Sequence, residues 1–159
     1  MKTLVIGLGN PILCDDGVGV RVAAELAGML EDSDGINVDV IEASVGGLRL
    51  MELMQGYDRV ILVDALLGPG APPGTIKRLT LSDLERITPP QHVASAHDTT
   101  LITALQAGRR LGLALPESVV IYGIFVEKVD EFGEEPTPAV ARAIPQATAA
   151  VLSELRAAI

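Results

Sequence analysis

Short apolar runs alternate with segments of helical periodicity along the chain. The runs at residues 4–6 and 60–63 are continuous, and each is followed at once by Gly or by an acid. Such a run is typical of a strand that a parallel sheet buries on both faces. The segments between the runs carry apolar residues three and four positions apart, which predicts amphipathic helices.

The pattern predicts five strands, at residues 4–6, 36–42, 59–65, 75–79 and 119–126. The fourth is short and carries Lys77 and Arg78, as an exposed edge strand does. Helical spacing predicts a short helix at residues 48–54 and three inner helix faces, formed by Val18, Val22, Leu26 and Met29, by Leu101, Ala104, Leu105, Gly108 and Leu111, and by Val140, Ile144, Ala147, Val151 and Leu155. Pro145 is expected to kink the last helix.

Strands that alternate with helices indicate a single doubly wound α/β domain over residues 1–159. We expect a mostly parallel, twisted sheet of about five strands with helices on both faces. A chain of 159 residues is long enough to bury roughly 70% of the surface that its unfolded form exposes.

Charge and composition narrow the class of partner. The net charge of −9 disfavours nucleic acid, because binding to phosphates depends on basic side chains. The chain has no Trp and only two Phe and two Tyr, so it lacks platforms on which bases stack. Its first residues do not form a signal peptide, and no run reaches the ~20 apolar residues of a membrane span. We expect a cytoplasmic protein, preferably monomeric, that neither binds nucleic acid nor crosses a membrane.

The loop after the first strand carries the first candidate chemistry. Gly7 and Gly9 allow a sharp turn that brings Asp15 and Asp16 to the carboxyl end of the strand. One acid is expected to cap the helix that follows, and the other is left for a ligand. The loop lacks the third glycine of the dinucleotide fingerprint, and two acids would repel a pyrophosphate, so we exclude a nucleotide site.

Acids also end the second and third predicted strands, at Glu42 and Asp64. Since the carboxyl ends of parallel strands meet at one edge of a sheet, we expect Asp16 and Asp64 to converge there, joined by His97 at a helix start. Two carboxylates and one imidazole suit a borderline divalent transition metal with open positions. His92 lies in the irregular segment 82–95, a candidate lid or substrate surface, and is expected to be exposed.

Nucleophilic catalysis has little support in the sequence. Cys14 is the one cysteine, which excludes an internal disulfide and suits a reducing cytosol, and the adjacent acids disfavour its thiolate. We expect Cys14 to be a small packing residue of the loop. Ser44 and Ser95 lack a supporting motif such as G-x-S-x-G.

Three motifs in order closely resemble those of the hydrogenase maturation endopeptidases, which process the large subunit of nickel–iron hydrogenases. They are GLGN at 7–10 with DDGVG at 15–19, VDA at 63–65, and SAHD at 95–98. The resemblance implies that Asp16, Asp64 and His97 bind metal, and that a short C-terminal extension is removed from the large-subunit precursor after nickel insertion. Nickel that the precursor supplies, or another divalent transition metal, is then expected at the site.

For such an enzyme we expect the metal to polarise the scissile carbonyl or to activate water. A carboxylate, Asp64 by preference, would orient that water as general base, with no covalent intermediate. The segment EASVGG at 42–47 departs from the D-x-G-T-like context common in the family, which leaves open both the hydrogenase served and the role of Glu42.

Two other functions stay open. A non-catalytic metal or peptide chaperone could use the same site without hydrolysis. The GLGNP opening at residues 7–11 also resembles that of bacterial peptidyl-tRNA hydrolases. The tyrosine and histidine that should follow it there are absent, and a net charge of −9 is poorly suited to tRNA.

Overall fold

A five-stranded sheet lies at the centre of the protein. The computed structural model describes residues 1–30, 35–86, 89–93 and 100–158. The strands are β1 (Thr3–Leu8), β2 (Val38–Ala43), β3 (Arg59–Leu66), β4 (Ile76–Thr80) and β5 (Ser118–Phe125). The helices are α1 (Val18–Leu30), α2 (Gly47–Leu53), α3 (Leu101–Arg110) and α4 (Pro138–Arg156).

The strands run in the order β2-β1-β3-β5-β4 across the sheet. The pairs β2–β1, β1–β3 and β3–β5 are parallel, and only the edge strand β4 is antiparallel to its neighbour. The five predicted strands are confirmed, with bounds that differ from the predicted ones by one or two residues. The doubly wound α/β fold predicted from the alternation of strands and helices is confirmed as well.

Helices cover both faces of the sheet. On one face, Val5, Ile61 and Val120 belong to a core that includes the buried residues of α1 and α4. On the other, Leu62 and Ile121 belong to a core that includes the buried residues of α2 and α3. This division follows from the alternation of side chains along each strand, since neighbouring residues point to opposite faces.

Two side chains predicted on inner helix faces are exposed instead. Met29 is 45% exposed, because the buried side of α1 continues from Leu26 to Leu30, four residues on, where a helix returns to the same face. Leu111 is 78% exposed because α3 ends at Arg110 and Leu111 is the residue that follows it.

The start of α3 is set by Thr100. Its hydroxyl oxygen accepts a hydrogen bond from the backbone N–H of Thr103, so the helix begins at Leu101. The earlier start that we predicted at Ser95 to Asp98 lies outside the described residues. Pro145 lies inside α4, and the kink there stays a prediction. Among the described residues, no helix is both long and apolar enough to cross a membrane.

Candidate active site

Close backbone packing brings the first loop onto the carboxyl edge of the sheet. A Cβ atom on Gly7 would overlap the carbonyl oxygen of Gly19, and one on Gly19 would overlap the carbonyl oxygen of Val63 in β3. Gly9 has φ 142, and a Cβ there would overlap the carbonyl oxygen of Asp16. The glycines of the first motif therefore let α1 begin directly against β1 and β3.

Asp15 is fully buried, and it anchors this loop. Its carboxylate accepts hydrogen bonds from the backbone N–H groups of Glu127 (3.0 Å), Lys128 (3.0 Å) and Thr137 (2.6 Å). The Thr137 hydroxyl donates to the same carboxylate. The loop that precedes α1 is thus tied to the segment that follows β5.

The predicted helix cap by Asp15 or Asp16 is wrong. A short 3₁₀ helix, Cys14–Gly17, precedes α1 and contains both acids. Within the described part of the chain, neither carboxylate accepts a hydrogen bond from the first turn of α1. The 3₁₀ turn rotates both side chains away from the helix axis, towards the loops around them.

Asp16 is 4% exposed and faces the candidate site. Its Oδ2 accepts a hydrogen bond from the backbone N–H of Asn10 at 2.9 Å, and the same oxygen lies 3.5 Å from Nε2 of His92. Its Oδ1 has no hydrogen-bond partner in the described part of the chain. Asp16 therefore has one oxygen that is held and one that is available to a ligand or a water.

Asp64, near the end of β3, is fully buried, and both of its oxygens are engaged. Oδ1 accepts from the N–H of Ala65 at 2.9 Å and lies 2.7 Å from Nδ1 of His92. Oδ2 accepts from the N–H groups of His92 (2.6 Å) and Val93 (3.3 Å). Burial raises the pKa of the Asp64 carboxyl, and the bonds with His92 and Ala65 oppose this rise.

His92 lies between the two carboxylates, so our expectation that it is an exposed loop residue is wrong. β1 pairs with β3 only as far as Gly7 opposite Val63, which leaves the next part of β3 without a neighbour on that side. The backbone N–H of Gln91 donates there to the carbonyl oxygen of Ala65 at 2.9 Å. This bond places the His92 ring over the end of β3.

His92 is not among the predicted site residues, although the sequence around it carries one signal that its segment packs on the core. Val93 directly after it is 2% exposed, and Pro90 before it is buried. The Pro-Pro pair indicates an extended segment, because a residue before proline avoids the helical region. The apolar residue that follows it indicates that this segment packs on the core. A free surface loop does not have these features.

The two carboxylates hold His92 in its charged form. Burial lowers the pKa of His92, but the interactions with Asp16 and Asp64 outweigh it and raise the pKa to about 10. In the metal-free protein the imidazolium therefore lies between two carboxylates, one on each ring nitrogen. The oxygen of Asp16 that has no partner in the described part of the chain favours a cation or a hydrogen-bond donor in a ligand that approaches.

The predicted metal set is only partly described. Asp16 and Asp64 contact one imidazole, whereas His97 lies outside the described residues. In the described ranges, no three side chains of His, Cys, Asp or Glu are placed to hold one metal ion. His92 does not complete such a set here, because Asp64 contacts Nδ1 and Asp16 faces Nε2, on the other side of the ring. The three-ligand site stays a prediction.

The two described candidates for nucleophilic catalysis, Cys14 and Ser44, have structural contacts instead. Cys14 is half-buried with φ 47, and its Sγ packs where a Cβ on Gly133 would stand, so the predicted packing role is confirmed. The hydroxyl of Ser44 donates to the carbonyl oxygen of Gly9 at 2.9 Å. Glu42 is exposed near the end of β2, and Ser95 lies outside the described residues.

Known proteins share this sequence pattern and fold. A family model described as hydrogenase maturation protease matches residues 20–154. The hydrogenase 2 maturation protease of Escherichia coli K12 is 31% identical over 159 residues, covering 98% of this chain and 92% of that protein. The hydrogenase expression/formation protein HupD of Rhizobium leguminosarum bv. viciae is 30% identical, covering 98% of this chain and 74% of that protein.

Solved structures agree with these sequence matches. The hydrogenase maturating endopeptidase HybD from E. coli superposes with a TM-score of 0.76 at 27% identity, covering 99% of this chain and 94% of that one. The protein HybD from Thermococcus kodakarensis, at 24% identity and a TM-score of 0.69, covers 98% and 99% and supports the fold. The match of the family model across most of the chain, together with these relatives, shows that the chain belongs to the hydrogenase maturation protease family.

Proposed function

We propose that this protein is an endopeptidase that removes the C-terminal extension of a nickel–iron hydrogenase large-subunit precursor after nickel insertion. The observation that carries the proposal is the pairing of Asp16 and Asp64 on one imidazole, at the carboxyl edge of the sheet, where α/β folds bind their ligands. Membership of the protease family supplies the class of reaction.

Hydrolysis at this site needs a group that orients water, and the geometry favours Asp16 for that role. Both oxygens of Asp64, which we preferred from the sequence, already accept hydrogen bonds within the protein. Asp16 keeps Oδ1 open while the N–H of Asn10 holds Oδ2. A carboxylate held by one oxygen can accept a proton from water on the other. Asp64 then serves to hold the cluster in place.

Nickel enters the proposal as a part of the substrate. Carboxylate and imidazole donors from Asp16, Asp64 and His97 suit a borderline divalent ion in an open site. Three ligands of which two are carboxylates bind such an ion more weakly than thiolate ligands do. The precursor would therefore bring the metal with it. The oxygen donors of the site would then favour a precursor that carries the cation over one that lacks it.

Incubation of the protein with nickel-loaded precursor, followed by mass measurement of the products, tests the function. Loss of a C-terminal peptide is expected from the wild type. Asp16→Asn is expected to lower the single-turnover rate by about 10²-fold or more, as removal of a general base does. The matched control Asp130→Asn changes an exposed acid and is expected to leave the rate unchanged.

Binding of the precursor without any cleavage, across several precursors, would contradict the proposal. That outcome would favour the non-catalytic chaperone, which the sequence left as an alternative.

A further inference from the structure

A cavity of about 280 Å³ opens beside β3 at the carboxyl edge of the sheet. Its floor is apolar and includes Leu66 of β3 and Phe125 of β5, both at most 6% exposed. The loop residues Pro69 and Gly70 form one wall, and Lys77 of β4 stands at the rim. A space of this size accepts one large apolar side chain.

The cavity lies on the same face of the sheet as the candidate site. Asp64 and Leu66 are two positions apart in β3, so their side chains point to the same face, with Cα atoms roughly 6.6 Å apart. Lys77 stands on the neighbouring edge strand opposite Gly123, whose missing side chain leaves the floor open towards Leu66. An extended peptide that passes the cluster of Asp16, His92 and Asp64 at the end of β3 would thus bring a side chain to the cavity within one or two residues of the reacting bond.

The rim of the cavity is positively charged in a protein of net charge −9. Lys77 is exposed, and no carboxylate in the described ranges forms an ion pair with it. The charge of Lys77 is one of the smaller causes that lower the pKa of the Asp83 carboxyl, but the two side chains form no ion pair. An apolar floor beneath a lone ammonium group complements an apolar side chain that is followed or preceded by an acid.

From these features we infer that the cavity is a specificity subsite. It takes an apolar side chain of the precursor next to the scissile bond, and Lys77 pairs with an acidic side chain at a neighbouring position of the extension. This inference rests on the proposed function. It adds the class of residue that the enzyme selects beside the bond it cuts.

Filling the cavity tests the inference. A Cβ on Gly70 would stand 3.4 Å and 3.5 Å from two ring atoms of Phe125, so Gly70→Leu places its methyl groups in the cavity without a backbone clash. The matched control is Gly28→Leu, because nothing lies within 4 Å of a Cβ there. We expect kcat/KM on the precursor to fall about 10- to 100-fold for Gly70→Leu and to stay unchanged for Gly28→Leu. Unchanged thermal unfolding would show that Gly70→Leu is folded.

The residue that occupies the cavity is found by a scan of the precursor. Each of three residues on either side of the bond is changed to Gly in turn. At one apolar position, the change to Gly is expected to lower the kcat/KM of the wild type about as much as Gly70→Leu does. The same change is expected to lower the kcat/KM of the Gly70→Leu enzyme no further, because the effects of residues in contact are not additive.

Charge reversal gives a second measurement that does not depend on packing. Lys77→Glu is expected to raise KM several-fold at low salt, and the difference is expected to shrink as salt screens the exposed pair. Arg142→Glu, an exposed charge on α4, is the control.

Absence of cleavage by the wild type would overturn the proposed function. Cleavage by the wild type with an unchanged kcat/KM for Gly70→Leu, or with an additive scan, would overturn the subsite alone.

Discussion

The carboxylate of Asp15 accepts hydrogen bonds from both the backbone N–H and the hydroxyl of Thr137, 122 residues later in the chain. This contact joins the loop before α1 to the residue that precedes α4, and so holds the loop in which Asp16 lies. Among the described residues, the Asp15 carboxylate forms no hydrogen bond or ion pair with Asp16, Asp64 or His92. Its role is to fix the position of its neighbour.

Replacement of Asp15 is therefore expected to destabilise the fold. Asp15→Ala leaves three partly buried N–H donors without their carboxylate, and each hydrogen bond to a charged group contributes about 1.5–3 kcal/mol. We expect the free energy of unfolding, measured by urea denaturation, to fall by about 3 kcal/mol or more. Asp39→Ala, which removes an exposed acid paired with Lys2, is expected to lower the free energy of unfolding much less, because exposed ion pairs contribute little. Equal losses would mean that the Asp15 contacts contribute little.

The central strands and the placement of Asp16 and Asp64 at the carboxyl edge of the sheet could be predicted from sequence because their signals are local. The run before Asp64 is continuous and apolar, as a strand covered on both faces requires. Asp16 follows glycines that admit close backbone packing, which the overlaps at Gly7 and Gly9 explain. The positions of these two residues in the fold are set by residues within a few places of them in the sequence.

The partners of Asp15 and His92 could not be predicted, because these partners are distant in the sequence. His92 contacts Asp64 only because β1 ends before β3 does, so that the segment around Gln91 can pair with β3. Asp15 finds its donors after β5 and before α4. Strand lengths relative to their neighbours, and not local patterns, decide both contacts.

The two histidines are expected to differ in what their loss changes. From the sequence alone, His92→Ala was expected to be nearly silent. The structure now predicts that it lowers the free energy of unfolding of the metal-free protein by about 1–3 kcal/mol, because the buried Asp64 carboxylate loses a charged partner. His97→Ala is expected to abolish cleavage, as its predicted role as a ligand requires.

Urea denaturation and single-turnover cleavage of both variants separate these effects. If His92→Ala loses cleavage while His97→Ala stays active, our prediction names the wrong histidine as the third ligand. A loss of cleavage in His97→Ala alone, with the unfolding free energy of His92→Ala reduced, is the expected result.

Glu154 is expected to govern part of the acid stability of the fold, at the opposite edge of the sheet. Hydrogen bonds from Arg78 and Tyr122 and the charge of Arg59 lower the pKa of Glu154 to about 2, from 4.5. Because the folded pKa lies below the unfolded one, this stabilisation is complete above about pH 4.5 and is lost as the pH falls towards about 2.

Urea denaturation at pH 6 and at pH 3 tests this dependence. Glu154→Gln is expected to be less stable than the wild type by about 2 kcal/mol at pH 6, and the difference should shrink at pH 3. A difference that is the same at both pH values would show that the network acts through packing, without a contribution from the charge.

The last prediction concerns the source of the metal. Two carboxylates and one imidazole bind nickel weakly beside thiolate ligands, because soft donors and a fuller shell hold such an ion more tightly. If the precursor brings the nickel, enzyme that has been treated with a chelator and freed of it should cleave nickel-loaded precursor at nearly the untreated rate. It should leave nickel-free precursor intact, because such a precursor offers no ion that the predicted ligands Asp16, Asp64 and His97 could bind. Cleavage would then report that nickel insertion is complete. If chelation instead abolishes activity, and free metal restores it on either precursor, the enzyme binds its own metal and the proposed origin of the nickel is wrong.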